Sequence, residues 1–283
     1  MNSTSSGQKS VIFDQILCDL IKKHIMRYAL IITLLAFSLP VQAQTARELL
    51  LQGRELLDDG TNRRDIDALL EARTIFEQVT DDDSLAMLAY YYAASASSDI
   101  ATILTDRGAS GKRQEIRMHI NYSIENYEAS VEIDETFAEG WALLSTSYAH
   151  KISVSPLRAV GLARKYNWAM SIALELEPDN PRIVLLKGIM DYNIPRIAGG
   201  NKERGIEGLE RAIDIFSEER AEDPLMPSWG HAHAHMRLGI AYMDQRELEK
   251  ARSSFEQALE INPDFGWVKD ELIPSLEELE SQN

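Results

Sequence analysis

Three histidines fall within five residues of the segment PSWGHAHAHMRLGIAYM, which runs from Pro227 to Met243. Imidazole is the commonest side-chain metal ligand and binds zinc well, so His231, His233 and His235 are the first place to look for chemistry. The residues around them read as a helix, and on a helix residues two apart point about 200° away from each other. The triplet then cannot converge on one ion. His231 and His235, one turn apart, could share a metal, but zinc needs further ligands and the HExxH pattern is absent. No metal and no cofactor is expected.

Other chemistry-bearing patterns are equally sparse. The chain holds no GxSxG elbow and no glycine-rich phosphate loop of the GxxxxGKS/T type. The acidic stretch DDGTNRRDIDALLE, Asp58 to Glu71, places Gly60 third rather than sixth, and its acids fall at the wrong offsets for an EF-hand. It reads as a loop between helices. With no catalytic residue set, the chain reads as non-enzymatic.

The N-terminal segment carries an address instead. Lys22, Lys23 and Arg27 flank an apolar run from Tyr28 to Leu39, followed by Pro40 and Val41-Gln42-Ala43. Twelve apolar residues are too few to span a bilayer, and small residues at −3 and −1 fit a secretory signal cut after Ala43. A buried helix would need neither the basic flank nor the cleavage site. The run lies far from Met1, which points to a start at Met26 or a long basic region. Two segments follow, an export signal at 1–43 and a helical-repeat domain at 44–283. Cutting removes four basic and two acidic residues, moving the net charge from −16 to about −18. So acidic a surface repels nucleic-acid phosphates and anionic lipid headgroups, so neither nucleic acid nor membrane insertion is expected. Cys18, the only cysteine, lies upstream of the cut, which leaves no thiol for a lipid anchor or a disulfide. The address is periplasmic.

The remainder repeats. SFEQALEINPDF from Ser254, NYEASVEIDETF from Asn126 and WAMSIALELEPDN from Trp168 share an aliphatic-Glu-aliphatic step and a short polar turn. The fullest unit, Ala232 to Phe265, has Leu238, Gly239, Tyr242, Ala251, Phe255, Ala258 and Pro263. Small residues suit the close crossing of two antiparallel helices, the large ones fill the space between them, and proline stops the second helix. Looser copies are Trp141, Leu144, Tyr148, Ala173 and Pro178; Gly188, Gly205, Leu209 and Ala212; Gly53, Ala72 and Phe76; and Ser123, Tyr127 and Ser130. Three of these units carry inserted residues, expected to lie between their helices. The pattern predicts an all-α, superhelical solenoid of about five antiparallel helix pairs. A C-terminal helix from Gly266, broken by Pro274, caps it.

At its seven spaced positions the 232–265 unit resembles a tetratricopeptide repeat (TPR). The chain is also similar to exported bacterial TPR proteins and, less closely, to the periplasmic TPR subunit of TRAP transporters. The resemblance implies that positions 2, 5, 9, 12 and 13 of each first helix line a concave face. Those positions are Glu139, Ala142, Thr146, Ala149 and His150; Arg182, Leu185, Ile189, Tyr192 and Asn193; and His233, Met236, Ile240, Met243 and Asp244. The lysine and asparagine set with which some TPR domains clamp a C-terminal carboxylate is missing. Leu185, Ile189, Tyr192, Met236, Ile240 and Met243 would give an apolar, adaptable wall. That wall suits a peptide segment or helix of another envelope protein. Closed into a pocket by the loops around Pro195 and Pro227, it suits a small apolar ligand of a solute-binding or transporter-associated protein. The sequence also leaves open that the next turn of the solenoid, or those loops, cover these residues.

Overall fold

The structure, a computed structural model, describes residues 45–108, 111–220 and 223–282. The export signal assigned to residues 1–43 lies outside the described residues. Leu49–Asn283 form one compact unit, separate from Met1–Glu48. Among the described residues the chain is helical throughout, with no strand.

Eleven helices follow in order among the described residues: α1 (45–63), α2 (Ile66–Glu77), α3 (Ala86–Asp106), α4 (Arg113–Ile133), α5 (Ala138–Val154), α6 (Ala159–Leu176), α7 (Pro181–Asn193), α8 (Lys202–Glu218), α9 (His231–Asp244), α10 (Leu248–Ile261) and α11 (Ile273–Ser281). They pack as consecutive pairs, α3 on α4, α5 on α6, α7 on α8 and α9 on α10, with α11 closing the C-terminal end.

Local chemistry sets the helix starts. Asp65 accepts from the backbone N–H groups of Asp67 and Ala68 at the start of α2, at 2.9 and 3.2 Å. Asn180 does the same for Arg182 and Ile183 ahead of Pro181, the first residue of α7. Asn201 caps α8 through the Arg204 N–H. Each side chain satisfies donors that the first helical turn leaves without partners.

Close packing within each pair explains the small residues of the repeat. A Cβ on Gly239 would sit 2.5 Å from the Phe255 ring, and one on Gly53 would sit 2.6 Å from the Phe76 ring. The same glycine-on-phenylalanine contact therefore recurs in the first and last pairs. At Gly188 the partner is backbone, with Leu209 N at 3.0 Å from the would-be Cβ.

Two expectations need correction. The residues inserted in the Trp141 unit do not form a loop: α5 and α6 run to 17 and 18 residues, against 14 each for α9 and α10, so the insertion lengthens helices. Pro274 does not break the terminal helix either. A π-helical turn, Trp267–Leu272, runs straight into α11 with Leu272 and Ile273 in helical dihedrals, and the proline falls just after the change from π to α.

The coil closes on itself. Arg54 Nη2 donates to Ser228 Oγ at 2.9 Å, and Asn262 Nδ2 donates to Asn62 Oδ1 at 3.0 Å. Arg64, in the α1–α2 turn, is buried beneath the Trp267 ring at 4.3 Å and faces Glu271. The segment 223–230 joins the closure, since Tyr92 Oη donates to Leu225 O at 2.7 Å.

Candidate functional site

Closure leaves a cavity of about 210 Å³ on the inner side of the coil. The first helix of every pair reaches it. Arg54 and Asp58 come from α1, Tyr91, Tyr92 and Asp99 from α3, Thr146 and His150 from α5, Leu185 and Ile189 from α7, and His233 and Arg237 from α9; Tyr127 and Trp229 complete the wall.

The aromatic part is tightly interlocked. Tyr91 meets Tyr92, Tyr127 and Phe137 edge-on, with ring centroids 5.0, 5.9 and 5.1 Å apart. Its hydroxyl receives the Trp229 indole N–H at 3.0 Å, which ties the 223–230 segment to α3. Tyr127 and Ser95 share a hydrogen bond of 2.9 Å. Burial pushes the phenols of Tyr91, Tyr92 and Tyr127 upward, so all three are neutral hydrogen-bonding groups.

The polar part is less evenly matched. Asp99 Oδ2 accepts from Thr61 Oγ1 at 2.6 Å, and burial pushes its carboxyl up to about 6. Burial lowers His233 to about 4 and also lowers His150, so both imidazoles are neutral at pH 7. Arg237 lies 5.2 Å over the Trp267 ring, and its guanidinium makes no hydrogen bond or ion pair among the described residues. Burial lowers its pKa, partly offset by Asp106. A cation is thus held on the cavity wall with its donors unspent.

The inner-face residues named from the sequence are distributed over three environments. Thr146, Leu185, Ile189 and His233 line the cavity, as does His150. Glu139 and Arg182 lie behind the wall, where Arg182 Nε donates to Glu139 Oε1 at 2.7 Å and its two Nη atoms bind Glu219. Burial raises the Glu139 carboxyl and Arg182 opposes the shift. Ala142 is fully buried. Met236, Ile240 and Met243 pack between α9, α10 and the terminal elements with Phe265, Val268 and Leu272, and Tyr192 packs against the α7–α9 core. Tyr192 also donates to Asp244 Oδ2 at 2.7 Å.

The histidine triplet splits in the same manner. His233 faces the cavity and packs 4.8 Å from Phe265, while His231 stacks on Phe216 with 5.6 Å between centroids and has His235 as its neighbour. Among the described residues no group of three His, Cys, Asp or Glu side chains is placed to hold a metal.

Asp99 and Arg237 were not singled out in the sequence, although one signal was present. Asp99 is the lone charge in the apolar stretch LAMLAYYYAASASSDIATIL, and a carboxylate there invites a search for its partner.

Comparison with known proteins agrees with this architecture. The tetratricopeptide repeat model matches residues 232–265. No curated protein matches the chain. Among solved structures, a thermophilic TPR protein of Thermus thermophilus, TTC0263, is 18% identical and superposes with a TM-score of 0.52 over 84% of this chain and 97% of its own. The HusA haemophore from Porphyromonas gingivalis is 19% identical, with a TM-score of 0.48 over 65% of this chain and 92% of its own. Residues 232–265 are a tetratricopeptide repeat, and the chain has the fold of a TPR protein. Its architecture is that of a helical-repeat protein, a class that presents extended curved surfaces.

Proposed function

We propose that this chain is a non-enzymatic binding protein whose central cavity takes a small amphipathic molecule. The observation that carries the reading is the closure of the inner face into a cavity of about 210 Å³. An α-helix with its side chains is about 10–12 Å across, so an amphipathic helix would not fit without reopening the coil. A compact ligand suits the space. Its apolar body would lie against Leu185, Ile189 and Tyr92, and a carbonyl or carboxylate oxygen would meet the free donors of Arg237. Such a mixture of apolar wall and few convergent polar groups is the usual make-up of a ligand site. The basic flank, apolar run and Ala43 of the N-terminal segment support a periplasmic address for this binding. An envelope-protein partner, of the kind TPR proteins generally bind, is left the outer faces.

The test is native mass spectrometry of protein purified from its own host, paired with thermal shifts in octanoate and in octanol. The expected result is a retained small molecule, or a melting shift with octanoate that Arg237→Met removes and Leu185→Trp abolishes. Empty protein from several growth media, together with no shift from either probe, would overturn the reading.

A further inference from the structure

Net charge conceals a segregation that the repeat topology creates. In a solenoid of antiparallel pairs, turns from a first to a second helix fall on one edge and turns from a second to the next first helix on the opposite edge. From α3 to α10, the turns on the first edge hold Arg107, Lys112, Arg158, Arg196 and Arg246, with Glu247 their single acid. From α2 to α9, the turns on the other edge hold the run Asp81-Asp82-Asp83, then Asp134-Glu135, then Glu177 and Asp179, then Glu219, Glu222 and Asp223, with Arg220 their single cation. A protein of net charge −16 therefore has one cationic edge.

That same edge carries the most exposed large apolar side chains among the described residues: Leu157 at 103%, Ile197 at 100% and Val160 at 71%. Leu157 sits in the 3₁₀ turn Pro156–Arg158 and Ile197 in the 3₁₀ turn Arg196–Ala198, so each adjoins an arginine and each turn is entered through a proline. These turns are fixed, not slack. Gly199 takes a φ of +97°, its carbonyl accepts from Arg204 Nη2 at 2.9 Å, and Asn201 N bonds Asp191 O at 2.7 Å. At the preceding pair, Arg117 Nη2 holds Val154 O at 2.9 Å. Arg158, Arg196 and Arg246 form no ion pair among the described residues.

We infer that this edge docks on an anionic lipid surface, with Leu157 and Ile197 entering the headgroup layer and the flanking arginines meeting phosphates. Aliphatic tips that protrude fully need no shaped pocket on the other side, which suits fluid lipid better than a folded protein surface. The cations supply attraction to anionic headgroups, and the acidic edge faces away and fixes the orientation. No described helix is long and apolar enough to cross a membrane, so the contact is peripheral. The inference is independent of the cavity and of what it binds.

The test uses residues 45–283, which contain the whole compact unit and no cysteine. Protein is sedimented with vesicles of phosphatidylethanolamine carrying about 30% phosphatidylglycerol, and with pure phosphatidylcholine. Binding is expected on the anionic vesicles only, weakening about tenfold in Leu157→Ser/Ile197→Ser and in Arg158→Glu/Arg196→Glu, and falling with added salt. Both pairs are exposed, so circular dichroism should show unchanged folding. A polarity-sensitive dye on Leu157→Cys should shift to the blue on anionic vesicles, while the same dye on Asp82→Cys, at the opposite edge, should not. Absence of sedimentation, equal partition of wild type and both double variants, or equal dye response at the two edges would each overturn the inference. Capture of an acidic protein by this edge with no vesicle binding would do the same.

Discussion

Helices α7 and α9 carry the same repeat register yet use it in opposite ways. At positions 5 and 9, Leu185 and Ile189 of α7 border the cavity on one side and pack into the α7–α9 core on the other, whereas Met236 and Ile240 of α9 are packed with Phe265, Val268 and Leu272. At position 2 the roles reverse: Arg182 of α7 is locked behind the wall with Glu139 and Glu219, and His233 of α9 looks into the cavity. The difference comes from the neighbours. The inner side of α7 is only partly covered and borders the cavity, while that of α9 meets the π-helical turn and α11, which end the solenoid. A repeat register specifies which side chains point inward from one helix. What lies inward depends on the helices that come after.

The largest effect should come from placing a charge at position 5 or 9 of the two helices. Met236→Asp buries a carboxylate in the α9–α11 core and should cost about 4 kcal/mol or more. Ile189→Asp, with one side on the cavity, should cost about half as much, and urea midpoints of the two variants would measure the difference. Equal losses would mean that the α7 face is as covered as the α9 face.

Position 2 gives the next contrast. Arg182→Met leaves Glu139 buried without its cation, with Asn180 as its remaining close donor, and should cost about 3–5 kcal/mol, with partial recovery on adding Glu139→Gln. His233→Gln, which touches no ion pair, should cost about 1 kcal/mol or less in the same denaturation assay.

A pH series sharpens the account of the wall. Asp99 has a folded pKa of about 6, above its ordinary value of 3.8, so the fold favours its protonated form. Its favourable contribution is present below pH 4 and is lost as pH rises through about 6. Asp99→Asn should therefore melt close to wild type at pH 4 and higher than wild type at pH 7, by the equivalent of about 1–2 kcal/mol. His233 gives the opposite slope: with its folded pKa lowered to about 4, the stability it contributes is present above 6.5 and lost as pH falls. Comparing Asp99→Asn with His233→Gln across the range separates the two. The smallest change is expected for Arg237→Met, which should alter the stability of the empty protein by less than about 1 kcal/mol, because that guanidinium has no hydrogen-bonded or ion-paired partner to leave behind and only its stacking on Trp267 is lost.

The helices and their pairing were largely legible from the residues. Gly239 with Phe255, the Asp179-Asn180-Pro181 start of α7 and Pro263 at the end of α10 are local signals, each acting within one helix or one crossing. The cavity was legible only in part. Leu185, Ile189, Thr146 and His233 follow from register, but Asp99, Arg237 and Tyr91 meet across the coil because α3 and α9 face each other after several pairs. The insertion in the Gly188 unit does lie between its helices, in the long turn from α7 to α8, but composition does not say whether extra residues lengthen a helix or its turn, and in α5 and α6 they lengthen both helices.

By itself, then, the sequence determined what depends on spacing within about forty residues: the helical pairs, their small-on-large crossings, and even the alternation of basic and acidic turns once the pairs are counted. The tertiary structure decided what depends on summing the rotations between pairs. Each rotation is small and set by many contacts, so no single residue encodes the total, yet that total brings Asn62 to Asn262 and turns an inner face into a partly open cavity.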